Sequence, residues 1–152
     1  METTKKGPFW KRHLQLLVVL ISIVTVVLGI FQLLNPQAAL GMMGKGEILP
    51  VTAHYFSMLG FFMILFNGMV LHTVYEIQTS KTIILWAALQ KVGVAVLVFI
   101  GIIGGHFHFT AIGVALFDLF SGVIFLSYFA QLNKASSHPN PLQTNVSPTD
   151  IV

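Results

Sequence analysis

Long uninterrupted apolar runs dominate the chain and predict membrane-spanning helices. A bilayer core requires about 20 consecutive apolar residues in a helix, and four stretches of the chain reach that length. Apolar residues follow one another continuously instead of occupying every second position, which argues against a transmembrane β-barrel. The sequence therefore predicts an all-α, four-helix transmembrane bundle with spans at residues 14–34, 55–75, 83–104 and 109–131.

Proline, glycine and polar residues separate the predicted spans. Asn35-Pro36 ends the first span, because proline disfavours a helical residue before it and cannot continue the hydrogen-bond ladder. The following AALGMM sequence, residues 38–43, is compatible with a short interfacial helix. Residues 1–132 are thus predicted to form one membrane domain. Residues 133–152 are rich in Pro, Ser and Asn and are predicted to form a disordered tail.

The basic residues are distributed unevenly over the connections. The first and third connections contain only Lys45, whereas the other three segments contain six basic residues. Because cytoplasmic segments carry an excess of Lys and Arg, this distribution predicts that both termini are cytoplasmic. The first span is longer than the roughly 7–15 apolar residues of a signal peptide, which favours an uncleaved anchor. The six residues are Lys5, Lys6, Lys11, Arg12, Lys81 and Lys134.

Composition narrows the class of function. Hydrophobic residues make up 55% of the chain and charged residues 9%, against about a quarter charged in soluble domains. The 8 Lys and Arg residues are too few and scattered to follow a nucleic-acid backbone. The absence of cysteine excludes disulfides, thiolate metal sites and thiol redox chemistry. No metalloprotease, hydrolase or phosphate-loop motif is present, so we expect no cofactor and favour a non-catalytic protein.

Each predicted span carries small or polar residues at helical spacing. Helices in a membrane associate through such residues, because lipid tails are as apolar as leucine. The stripes therefore predict the inward faces of the bundle. Such stripes are common in membrane bundles, so close packing alone can account for them. The stripes are Ser22, Thr25, Gly29 and Gln32; Ser57, Gly60, Asn67 and Gly68; Ala87, Ala88, Lys91 and Ala95; and Ala111, Ala115, Asp118, Ser121 and Gly122.

Lys91 and Asp118 are charged residues inside predicted spans. A charge at the centre of a span costs about 2.5–3.5 kcal/mol on insertion scales. From the helical rise, Lys91 is about 12 Å and Asp118 about 19 Å from the cytoplasmic ends of their spans, within reach of an extended lysine. Asn67 is expected near the level of Lys91. These three residues form the predicted intramembrane polar site, either a neutralised pair that fixes helix register or an ion or proton relay or head-group site.

Three histidines are predicted at the non-cytoplasmic surface. His54 begins near the second span, and His106 and His108 flank Phe107 in the third connection. Histidine is a common ligand of zinc and copper, so these residues are candidates for a metal site. Interfacial histidines with their polar tips in water are the alternative. Haem ligation by His13 and His72 is less favoured than this metal site, because both histidines lie at span ends.

The order of features resembles small four-helix membrane proteins of the DoxX-like kind, which are mostly uncharacterised and bacterial. The resemblance lies in GIFQLLNPQAALGMMG, a first helix ending at a proline before a short interfacial segment, and in HYFSMLGFFMILFNGMVL, a second helix with paired glycines. It extends from Leu14 to Leu132. It implies a four-helix membrane fold and a bacterial inner membrane. It carries no functional residue across, because residues 58–68 lack the glutamate typical of those proteins.

These observations favour a small integral membrane protein that acts as a non-catalytic accessory or assembly partner. Its expected partners are the lipid bilayer and either another copy of itself or a second membrane protein. One alternative is a small transporter or channel subunit that uses Lys91, Asp118 and Asn67. The other is a membrane enzyme with a histidine-bound metal at the outer face.

Overall fold

The computed structural model describes residues 9–136, and the side chains of residues 12–134 within that range. This part of the chain is helical, as predicted, and four of its helices are long and apolar enough to cross a membrane. The fold is thus compatible with a small polytopic membrane protein. The helices are α1 (Phe9–Leu34), α2 (Pro36–Met43), α3 (Pro50–Tyr75), α4 (Lys81–Ile103) and α5 (Ile112–Ser136), and a single 3-10 turn (Phe109–Ala111) precedes α5.

Several helix ends differ from the predicted spans. Helix α2 confirms the short helix expected after Asn35-Pro36. Helix α3 begins at Pro50, five residues before the predicted span, because proline fits the first helical position. Helix α5 continues to Ser136, so residues 133–136 of the predicted tail are helical. The remainder of that tail lies outside the described residues.

The four long helices form two antiparallel hairpins. Helix α1 packs closely along α3, and α4 packs closely along α5. The tight third connection between α4 and α5 had predicted the second pairing. The hairpins join mainly through α1 and α5, whereas α3 and α4 make few contacts with each other. The bundle therefore has a closed seam between α1 and α5 and an open seam between α3 and α4.

Most of the small-residue stripes lie on the buried faces of the helices, as predicted, but Gly68 is partly exposed, and a Cβ atom built on it meets nothing within 4 Å. Ser22, Thr25, Ala88, Ala115 and Ser121 are at most 1% exposed. Leucine, isoleucine, valine and phenylalanine side chains cover much of the outer surface. This inverted distribution, with small residues inside and large apolar residues outside, is expected for helices that pack within lipid.

Two glycines set the distance between α1 and α3. A Cβ atom added to Gly60 would lie 2.8 Å from the Gly29 oxygen, and one added to Gly29 would lie 2.9 Å from the Gly60 oxygen. Close by, the Gln32 side chain donates a hydrogen bond to the Phe56 oxygen at 2.8 Å. The backbones approach so closely here that only glycine fits.

A backbone clasp joins the two hairpins at the end of the bundle that holds α2. It consists of residues 43–45 and residues 106–108, which form an isolated antiparallel bridge between Gly44 and Phe107. The Lys45 amide donates to the His106 oxygen at 3.1 Å, and the His108 amide donates to the Met43 oxygen at 2.7 Å. The first and third connections therefore lie at the same end of the bundle.

Candidate functional site

An ion pair lies in the interior where α1, α4 and α5 meet. The Lys91 ammonium donates to Asp118 Oδ1 at 2.7 Å. It also donates to Thr25 Oγ1 at 3.0 Å. Lys91 and Asp118 are only 4% and 7% exposed. The predicted pairing of the two charges is thus present in the structure, and the lysine extends it to a third helix.

The groups around the ammonium supply several compensating interactions. The Phe117 ring lies with its centroid 5.3 Å from Lys91 Nζ, within the range of a cation–π interaction. Thr25 in turn donates its hydroxyl proton to the Ile21 oxygen at 2.9 Å. The lysine therefore has a carboxylate, a hydroxyl oxygen and an aromatic face within reach. Such an environment offsets part of the cost of removing the charge from water.

Small residues on α4 and α5 make room for the pair. A Cβ atom added to Gly122 would lie 2.6 Å from the Val92 side chain, one residue from Lys91. Ala88 and Ala95, one turn on either side of Lys91, are also buried. Because the two helices approach closely at this level, the Lys91 side chain spans only the short gap to Asp118.

Asn67 and Thr25 differ from the sequence expectation. The Asn67 side chain is buried, and its amide donates to the Met63 oxygen at 2.9 Å within α3. The third residue that bonds to Lys91 is Thr25 on α1 instead. Thr25 belongs to the predicted inward stripe of the first span, but nothing in its spacing distinguishes it from Ser22 as a partner of Lys91.

The histidines proposed as metal ligands do not form a metal-binding group. His54, His106 and His108 are exposed. Within the described range, no three His, Cys, Asp or Glu side chains lie close enough together to hold a metal ion. The backbones of His106 and His108 are engaged in the clasp instead. The geometry therefore gives the metal-enzyme alternative no support.

The described part of the chain has two surface grooves that lie away from the ion pair. One, of about 390 Å³, is bordered by Leu34, Gln37 and His54, among others, where α1, α2 and α3 meet. The other, of about 430 Å³, follows α3 towards the first turn of α4. Neither groove is lined by Lys91 or Asp118.

Comparison with known proteins yields no relative. No protein-family model, curated protein or solved structure matches this chain. The resemblance to DoxX-like proteins accordingly stays a prediction. Functional arguments for this chain rest on its own geometry.

Replacing Thr25 with valine should lower the free energy of unfolding in detergent by about 1–2 kcal/mol, near the upper end of values for hydrogen bonds between membrane helices. Valine keeps the shape of threonine but removes the oxygen that accepts from Lys91. Thr25→Ser should retain most of the stability, because it keeps that oxygen. Ser22→Ala is the matched control, since the Ser22 hydroxyl bonds only to the Val18 oxygen of its own helix. Equal losses for Thr25→Val and Ser22→Ala would show that the bond to Lys91 contributes nothing.

Proposed function

We propose that this chain is a non-catalytic membrane protein that serves as an accessory or assembly partner. It acts with a second membrane protein or as a homo-oligomer. Its orientation in this proposal has both termini in the cytoplasm, on the basis of the basic residues in the connecting segments. The proposed membrane is the bacterial inner membrane, through the DoxX-like resemblance alone.

The observation that supports this role best is the internal neutralisation of the deep charges. Lys91 bonds to both Asp118 and Thr25, and two surface grooves of the described part of the chain lie elsewhere. A buried pair of this kind favours one helix arrangement over others. It leaves an outer surface of large apolar side chains, suited to lipid and to the helices of another membrane protein.

Transport or proton relay is the second candidate, and the ion pair itself favours it. Ionisable residues inside membrane spans frequently mark ion pathways. In this role Asp118 would exchange its bond to Lys91 for a proton or cation. The Lys91→Met/Asp118→Leu double variant separates the two roles. A stable double variant that keeps its cellular function supports the accessory role, and a stable but inactive one supports the relay.

Purification of the full chain in mild detergent, with mass measurement and metal analysis, tests the accessory role. The expected result is a stoichiometric membrane partner or a defined homo-oligomer without bound zinc or copper. A monomer without partners would contradict the proposal. Stoichiometric zinc or copper would favour the metal-enzyme alternative despite the separated histidines.

Reporter fusions test the proposed orientation. Fusions after Gly44 and after Gly105 should report the non-cytoplasmic side, whereas fusions after Gln78 and after Lys134 should report the cytoplasm. The clasp places Gly44 and Gly105 at one end of the bundle, so these two fusions should always agree with each other. A reversed pattern at all four positions would overturn the orientation, and disagreement between Gly44 and Gly105 would overturn the four-span arrangement.

A further inference from the structure

A groove of about 430 Å³ lies along the C-terminal half of α3. Its floor is Gly68, where a built Cβ atom has no neighbour within 4 Å. The lining residues on α3 extend from Ile64 to His72, which corresponds to about 12 Å along the helix. The complete lining consists of Ile64, Leu65, Gly68, Met69, His72 and Ile83.

The groove lies at the open seam of the bundle. Ile83, in the first turn of α4, is its only lining residue outside α3. The two helices make few contacts with each other, and both are long enough to cross a membrane. A groove with this apolar lining therefore opens towards hydrocarbon, where an acyl chain gains dispersion contacts by lying in it.

The mouth of the groove carries two polar side chains, an imidazole and a carboxylate. His72 Nδ1 lies 3.2 Å from Glu76 Oε1, and both side chains are open to solvent, at 80% and 46% exposure. Thr73 donates its hydroxyl proton to the second Glu76 oxygen at 3.4 Å, which helps to hold the carboxylate at this position. The Ser80 amide donates to the same Thr73 hydroxyl at 2.7 Å and fixes the connection to α4.

We propose that this groove binds an aminophospholipid, with one acyl chain along α3 and the head group at His72 and Glu76. A primary ammonium donates hydrogen bonds to the Glu76 carboxylate, and a ring N–H of His72 donates to a phosphate oxygen. A choline head group has no proton to donate to Glu76. An anionic glycerol head group has no cation that could pair with the Glu76 carboxylate. His72 and Glu76 thus select the head group, and the groove holds the acyl chain.

Native mass spectrometry of the full chain tests the site. The protein is placed in vesicles of equal amounts of phosphatidylethanolamine and phosphatidylcholine with identical acyl chains, and is then extracted in mild detergent. We expect one retained lipid, with the ethanolamine form enriched about fivefold, or ~1 kcal/mol at 25 °C. Failure to retain lipid, or equal retention of the two lipids, would overturn the proposal. A repeat with phosphatidylglycerol should give no enrichment of the anionic lipid, and enrichment would equally overturn it.

Filling the groove should remove the lipid. Gly68→Leu places a side chain in the open space of the groove and should reduce lipid retention about tenfold, comparable to ~1.4 kcal/mol of lost affinity. Gly93→Leu is the matched control, because Gly93 also has nothing within 4 Å of a built Cβ atom but does not line the groove. Equal retention by the two variants would place the lipid elsewhere.

The head-group contact is tested separately at an exposed position that does not threaten folding. Glu76→Gln keeps the groove but removes the carboxylate that accepts from the ammonium. We expect retention of the ethanolamine lipid to fall about fivefold, to the level of the choline lipid, while retention of the choline lipid stays unchanged. A preference that survives this change would exclude Glu76 as the selecting group and overturn the assignment.

Discussion

Lys91→Met and Asp118→Leu should each lower the free energy of unfolding in detergent by about 3–5 kcal/mol, the usual cost of removing one partner of a buried ion pair. Each single change leaves the other charge in the interior without its partner at 2.7 Å. The double variant should recover most of the loss, because replacement of both partners by apolar residues is often nearly neutral. Thermal or denaturant unfolding of the four proteins gives the coupling energy directly.

Lys81→Met serves as the control for the loss of a lysine as such. Lys81 is the first residue of α4 and is only partly buried, and its loss should change stability by about 0.5 kcal/mol, far less than the loss of Lys91. Mild single variants whose effects simply add in the double variant would contradict the structural importance of the ion pair. A loss in Lys91→Met alone, with Asp118→Leu silent, would assign the main contribution to Thr25 and Phe117 instead.

Gly60→Leu should cost at least about 3 kcal/mol, since overpacking by even a few methylenes commonly costs 1–3 kcal/mol. Its Cβ atom alone would approach the Gly29 oxygen and the Leu33 nitrogen to 2.8 Å. Both of these are backbone atoms, so α1 and α3 must separate to accommodate the side chain. The measurement is the free energy of unfolding, together with disulfide cross-linking between cysteines introduced in α1 and α3, which should become less efficient.

Gly68→Ala is the matched control on the same helix. With nothing within 4 Å of its added Cβ atom, it should be neutral or stabilise the protein by up to about 1 kcal/mol, because alanine favours the helix over glycine. Gly60→Ala should have the opposite sign, since the clash outweighs the gain in helix propensity. Equal effects at the two positions would show that α1 and α3 do not cross at Gly60.

Hydropathy predicts the number and order of the spans because the bilayer imposes a minimum apolar length. It predicts their ends less well. The apolar run that starts near Tyr55 omits the first turns of α3, where Pro50 and not hydrophobicity sets the beginning of the helix. At the other end of the chain, α5 continues through Lys134 into Ser136 although the sequence has become polar.

The sequence was sufficient to predict the two charged residues of the candidate site. It was not sufficient to predict the residues around them. Two opposite charges on the inward faces of neighbouring helices had few arrangements other than a pair, and Lys91 and Asp118 form it. The third partner depends on which helix lies against α4 and α5, and small-residue stripes do not encode that choice. The sequence favoured Asn67 on α3, whereas the structure brings Thr25 on α1 to the lysine.

The backbone clasp bears on how the protein is made. Each hairpin joins helices that are close in sequence, so each can form soon after its second helix leaves the ribosome and enters the bilayer. The clasp joins Gly44 to Phe107, and Lys91 bonds to Thr25 across 66 positions of the chain. Until α4 and the connection after it are made, Thr25 lacks Lys91 and Gly44 lacks its bridge partner Phe107. The two hairpins therefore join late in synthesis, and a chain that ends before Lys91 leaves both Thr25 and Gly44 without these partners.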